Sequence, residues 1–280
     1  MTFLGALLAM LWDQLNPLYR PSQFDRLFVR YADWLMPHFN AGTRKHGLLA
    51  WTVAALLPAL LVGLAGALLS GVAALLGMAW SVLVLYQCLG FRQLTHLADE
   101  VKDALLAGDE PRARAKLFDL GLAGAETVPA GELNRRAVEH VLQAGLSRIF
   151  GALFWFMLLG PFGAVAYALS VLLAARWRGD SDFYASIDQI VAVLDWLPSR
   201  LLAFSFAIVG NFEEAMLRWR SLGTGERYGN VEVLLASGFG ALGLGDDAPD
   251  EDYVSGAAAL LKRSALVWLA VLGLLWLGGM

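Results

Sequence analysis

From Ile149 to Ala175 the chain runs for 27 residues without a charged side chain, and Gly160-Pro161 stands in the middle of the run. Wound as an α-helix at about 1.5 Å per residue, the run reaches ~40 Å, more than the roughly 30 Å of a bilayer's hydrocarbon core. Pro161 has no backbone N–H and its ring crowds the preceding turn, so a bend is expected there. The run either crosses fully, for which it is long enough with some tilt and which is the favoured reading, or turns back at Gly160-Pro161. The rest of the chain points the same way: 58% of its residues are hydrophobic and only 16% charged, against about 25% charged in soluble domains. A net charge of -4 leaves no footprint for nucleic acid.

Three further segments read as spans, 47–70 with Pro58 inside it, 71–91 and 264–280. Ser70-Gly71 would turn the first two into a hairpin. Basic residues at both ends of that hairpin, Arg44-Lys45 and Arg92, put both ends in the cytoplasm by the positive-inside rule. Shorter apolar stretches at 2–15, 196–210 and 231–244 read as short membrane helices. The first is expected to be retained rather than cleaved, because no basic region precedes it. Between Pro17 and His46, Phe24, Leu27, Phe28, Tyr31 and Leu35 recur at helical spacing among arginines, the pattern of an amphipathic surface helix. The polar region 92–148 reads as a cytoplasmic helical insertion, and Asp246 to Asp252 as an acidic solvated loop. The expected fold is therefore all-α: a polytopic helical integral membrane protein with amphipathic interfacial and cytoplasmic helices, and the lipid bilayer as its first partner.

Chemistry-bearing residues are sparse. Cys88 is alone, and the four histidines are scattered at no metal-ligand spacing, so no metal site is expected. There is no phosphate-binding glycine loop, dinucleotide fingerprint or nucleophile elbow. In Asp195-Trp196-Leu197-Pro198-Ser199-Arg200 two opposite charges flank a proline where an apolar run begins. That arrangement reads either as a polar pocket or as an ion pair fixing a helix end. Glu139 is placed to face Arg135 one turn earlier. Asn211 is placed to cap the helix that precedes it.

Several motifs together resemble the CobD/CbiB family of cobalamin-biosynthesis membrane proteins and its relative AmpE. They are Gly108-Asp109 with Ala113-Arg114, and Ala137-Val138-Glu139 followed by Leu153-Phe154-Trp155. Gly160-Pro161-Phe162-Gly163-Ala164 with Tyr167, the Asp195-to-Arg200 segment, and Ala236 to Gly243 complete the set. Val209-Gly210-Asn211-Phe212 is closer to the AmpE-like branch. For the biosynthetic members the resemblance implies an ATP-dependent synthase that joins an aminopropanol unit to adenosylcobyric acid. For AmpE-like members it implies a modulator of β-lactamase induction in the inner membrane.

Polar positions of the biosynthetic branch are replaced here. Gln143, Ala144 and Ser147 stand for its Glu, Asn and Asp, and Val171 to Ala174 for its Asn-Thr-Leu-Asp. Ala125-Glu126-Thr127 and Gly229-Asn230-Val231-Glu232 depart from two further polar motifs. An apolar side chain cannot hold a cation or move a proton. The reading favoured by the residues is thus an AmpE-like, non-catalytic signalling modulator or scaffold of the inner membrane that would bind another membrane protein. The alternative is an adenosylcobinamide-phosphate synthase-like amide ligase, which would require ATP, Mg and a corrinoid. The candidate ligand- or partner-binding residues are Glu126, Glu139, Tyr167, Asp195, Arg200, Asn211 and Asn230, with none assigned as catalytic. A transporter is the weakest reading, as no internal repeat is present.

Overall fold

The computed structural model describes residues 2–16, 22–39, 42–179, 181–222, 229–245 and 252–278. The acidic loop expected at Asp246, Asp247, Asp250 and Glu251 lies outside them. In chain order the first helices are α1 (Thr2–Leu15), α2 (Gln23–Phe39), α3 (Arg44–Trp51), α4 (Leu57–Val72) and α5 (Ala74–Cys88). They are followed by α6 (Phe91–Leu106), α7 (Glu110–Leu120), α8 (Leu133–Gly145) and α9 (Gly151–Arg176). The last are α10 (Asp182–Val209), α11 (Phe212–Ser221), α12 (Asn230–Leu242) and α13 (Asp252–Leu277). No strand occurs among the described residues. Five helical stretches are long and apolar enough to cross a membrane: Arg44–Val72, Ala74–Leu106, Ala130–Arg176, Asp182–Val209 and Tyr253–Leu277. The chain is a multi-pass helical membrane protein.

It divides into two compact units, residues 1–90 with 147–196 and residues 91–146 with 197–280. The division falls inside α10. That helix is continuous for 28 residues, where the sequence suggested a short apolar helix over 196–210. Its polar first half, with Asp182, Asp188 and Asp195, hides the helix from a hydropathy reading but does not interrupt its backbone hydrogen bonds.

In the first unit, α4 shows how a lipid-facing helix is built. Ala59 and Gly66 are buried, as are Ala54 and Ala55 in the turn just before it, while Leu57, Leu60, Leu61, Leu64 and Leu68 are exposed. Small residues allow close helix approach, and leucines meet acyl chains. Pro58 cannot donate to the carbonyl four residues back, and a π turn at Thr52–Leu56 absorbs the defect. The Tyr31 hydroxyl donates to the Val53 carbonyl in that turn at 3.1 Å. The α4–α5 hairpin turns at Ala73, in extended conformation, rather than at Ser70-Gly71. A Cβ on Gly77 would collide with Ser70, so the two helices touch just below the turn.

The long uncharged run does not continue straight. Gly160 has φ +63° and ψ -149°, which breaks the helix at a single residue that only glycine adopts readily. Beyond it the chain doubles back. A Cβ on Gly163 would collide with the Trp155 carbonyl, and one on Gly151 would collide with the Tyr167 ring. In a straight helix residues 151 and 167 would be about 24 Å apart at 1.5 Å per residue. The expected full crossing is therefore corrected to a helical hairpin with Gly160-Pro161 at its tip. Pro161 follows the break at the position where its missing N–H costs no helical bond. The tip packs on α4, where Gly63 meets Phe162 and Gly66 meets Pro161.

In the second unit, α6 and α7 form a hairpin around Gly108, which has positive φ, and Asp109, whose carboxylate accepts from the Arg112 N–H at 3.1 Å. Of the region read as an insertion, 92–148, residues 92–146 lie within this unit together with the C-terminal part of the chain. Thr127 does not cap α8; it sits in a separate 3-10 turn, Ala125–Thr127, and α8 begins at Leu133. Helices α11 and α12 pack closely, because a Cβ on Gly240 would strike the Ala215 backbone. Ser237 in α12 donates to the Ala203 carbonyl at 2.6 Å, and Trp268 in α13 donates to Ser205 at 2.9 Å.

Candidate functional site

Four of the seven candidate residues come together in two pairs, one in each unit. In the first unit, the hairpin return arm carries Tyr167, 1% exposed, facing α10. Its hydroxyl donates to Asp195 Oδ1 at 2.7 Å. Trp155, on the outgoing arm, donates its indole N–H to the Leu194 carbonyl at 3.2 Å. The two arms of the hairpin therefore grip α10 at two adjacent residues, Leu194 and Asp195. Gly151 makes this possible: the Tyr167 ring occupies the space a larger side chain would fill. A carboxylate placed within a long apolar helix is costly unless a partner holds it, and here a phenol does so. The arrangement presents an oriented acceptor able to hold a donor such as an ammonium or a hydroxyl.

In the second unit, Arg200 donates from Nη1 to Asn230 Oδ1 at 3.0 Å. Asn230 is the first residue of α12, so its amide joins the start of that helix to the middle of α10. Arg200 is partly exposed, and its planar guanidinium is of the kind that suits carboxylate and phosphate.

The other three candidates lie apart from these pairs. Glu139 pairs with both Arg135 and Arg136 at 3.2 Å, which includes the expected contact one turn earlier. Glu126 stands exposed in its 3-10 turn. Asn211 does not cap the end of α10. Its carboxamide accepts from the Glu214 N–H at 3.2 Å and so caps the start of α11. The signal was present in Asn211-x-x-Glu214, a helix-start pattern. No sequence signal ties Trp155 or Gly151 to Asp195.

The fold thus defines a class: a multi-pass helical membrane protein with a helical hairpin clamped on a carboxylate-bearing helix. Residues 2–245 match the family described as CobD/Cbib protein, and the chain belongs to that family. It is 31% identical over 299 residues to the cobalamin biosynthesis protein CobD of Stutzerimonas stutzeri, with 96% of each chain covered. It is 29% identical over 213 residues to the protein of the same name from Chromobacterium violaceum, with 68% of each covered. With the cobalamin biosynthesis protein CbiB of Salmonella typhimurium it shares 30% identity over 155 residues, 53% of this chain and 48% of that one. No solved structure matches the chain significantly.

These relatives overturn the reading of an AmpE-like signalling modulator. That reading rested on polar positions gone apolar. The structure supplies the reason it misled: at 171–174, Leu173 is a core residue packed with Ala50, Ala54, Trp177 and Phe183. The stretch serves packing, while Tyr167, Asp195, Arg200 and Asn230 keep their polar groups.

Proposed function

We propose that the chain works in cobalamin biosynthesis in the inner membrane, as an amide-forming synthase that joins an amine to a carboxyl of a corrinoid acid. The observation that carries this reading is the near full-length similarity to proteins named for that pathway. The chemistry needs an anion-recognising group for the carboxylate or phosphate, and an acceptor that orients the amine. Arg200, steadied by Asn230, suits the first role. Asp195, steadied by Tyr167, suits the second. With ATP as co-substrate, the corrinoid carboxylate would take the terminal phosphoryl group. The amine nitrogen would then displace phosphate, forming the C–N bond and releasing a proton. Among the described residues no group of three His, Cys, Asp or Glu could hold a metal ion, so they do not form a dedicated metal cage and no step is assigned to one.

The test is complementation. The chain expressed in a strain lacking its own synthase should restore cobalamin-dependent growth, and extracts should convert the corrinoid acid to its amide. Full-level membrane expression without rescue would sink the proposal.

A further inference from the structure

In the first unit the return arm of α9 and the first half of α10 run antiparallel, and the bond from Tyr167 to Asp195 fixes their register. Two turns from that bond on each helix, about 10 Å at 1.5 Å per residue, Ala174 stands opposite Asp188. Alanine leaves open there what the Tyr167 ring fills above. The result is a surface cleft of about 470 Å³ lined by Ala174, Ala175, Arg178, Gly179 and Asp188. Arg178 and Asp188 are both exposed. Arg178 acts on Asp188 through its charge and not through a hydrogen bond, so the two line the cleft without closing on each other.

The cleft sits at the edge of the membrane-crossing stretches. The return arm of α9 ends at Arg176, and the stretch Asp182–Val209 starts just after it. The stretch Arg44–Val72 starts at the same level, because a Cβ on Gly47 would strike the Phe183 carbonyl and the Ser186 hydroxyl. One turn past Asp188, α10 exposes Ala192 and Val193, the latter by 74%.

We propose that this cleft binds the headgroup of phosphatidylethanolamine, with its ammonium on Asp188, its phosphate on Arg178 and an acyl chain along Ala192 and Val193. Opposite charges on the walls of one cleft suit a compact zwitterion. A carboxylate accepts from the N–H groups of a primary ammonium, and a quaternary ammonium has none to donate. The planar guanidinium matches phosphate oxygens. A soluble phosphoamine carries the same two charges. The lipid is favoured because the cleft opens at the membrane edge and leads onto an exposed apolar face suited to hydrocarbon. The inference stands apart from the proposed reaction.

The test is native mass spectrometry of the full-length protein in a non-ionic detergent, titrated with phosphatidylethanolamine, phosphatidylcholine or phosphatidylglycerol. The first lipid bound should be phosphatidylethanolamine, preferred by about fivefold, the most expected of one exposed charge pair. D188N should bind phosphatidylethanolamine and phosphatidylcholine equally, and R178Q should weaken phosphatidylethanolamine by a similar factor. D182N, which removes another exposed carboxylate of α10, should keep the preference. All three positions are exposed, so folding should be unaffected. An unchanged preference in D188N and R178Q overturns the proposal, and so does an equal loss in D182N. Displacement of the lipid by an equal concentration of soluble phosphoethanolamine would assign the cleft to a soluble phosphoamine and overturn the lipid.

Discussion

Tyr167 donates its hydroxyl to Asp195 Oδ1 across 2.7 Å, and the ring behind that hydroxyl fills the space above Gly151. One contact thus ties both arms of the hairpin to α10. Substitutions on the two sides of this bond should separate stability from function. Tyr167→Phe keeps the ring but removes the donor from a half-buried carboxylate, at an expected cost of about 1–3 kcal/mol. Asp195→Asn keeps an acceptor of similar shape but removes the charge. Thermal unfolding in detergent should place Asp195→Asn near the wild type and Tyr167→Phe below it. Complementation should fail in Asp195→Asn despite its stability. Full rescue by Asp195→Asn would remove Asp195 from the proposed substrate contacts.

The chain reversal at Gly160 makes a sharper claim about glycines in one helix class. Gly163→Ala places a methyl against the Trp155 backbone carbonyl, which cannot move aside without opening the hairpin. The expected cost is about 1–3 kcal/mol or more, as for other overpacked sites. Gly71→Ala, near the end of α4, meets nothing within 4 Å and should be neutral or slightly stabilising. Equal unfolding temperatures for the two variants would contradict the hairpin. So would a straight helix distance, tens of ångströms, between spin labels placed at positions 152 and 168.

The fold class was legible because the hydrophobic excess and the long uncharged run leave helices in lipid as the main solution. The helix starts at Asp109 and Asn211 were written in local patterns too, although Asn211 was assigned to the wrong helix. The hairpin was not legible. Gly160-Pro161 announces a break, but whether the chain kinks or reverses is decided by Gly151 and Gly163 meeting Tyr167 and Trp155, residues far along the run. The Tyr167–Asp195 pair spans 28 positions, and nothing periodic links them. The function is hidden because apolar residues such as Leu173, which the core requires, look in the sequence like lost chemistry.

Asn230 steadies Arg200 from the first residue of α12, so its removal should act on binding more than on folding. Asn230→Ala should leave the guanidinium in place but less fixed. In the synthase assay it should raise KM for the corrinoid acid with a smaller change in kcat. Arg200→Lys keeps the charge and loses the planar pair of donors, and should reduce kcat/KM on the order of tenfold or more, the loss of about one charge-assisted hydrogen bond. A variant pair with wild-type kcat/KM would assign Arg200 to helix packing alone.

Arg176, at the end of the hairpin return arm, holds Asp33 of α2 through two bonds, Nε to Oδ1 at 2.8 Å and Nη2 to Oδ2 at 2.9 Å. The hydrogen bond from Arg176, more than its charge alone, lowers the pKa of the Asp33 carboxyl from its ordinary value of 3.8. A lowered native pKa means that the folded state binds the proton less readily than the unfolded chain does. The stabilisation is then fully present above the ordinary value and is lost as pH falls through the lowered one. Both side chains are about half exposed, so solvent screening keeps the effect small and salt-sensitive. Asp33→Asn should lower the unfolding temperature slightly at pH 6 in low salt. The difference from wild type should shrink below about pH 4, near the ordinary aspartate value, and shrink also in high salt at pH 6. A difference that persists undiminished at acid pH would show that the substitution acts through packing of α2, not through the ion pair.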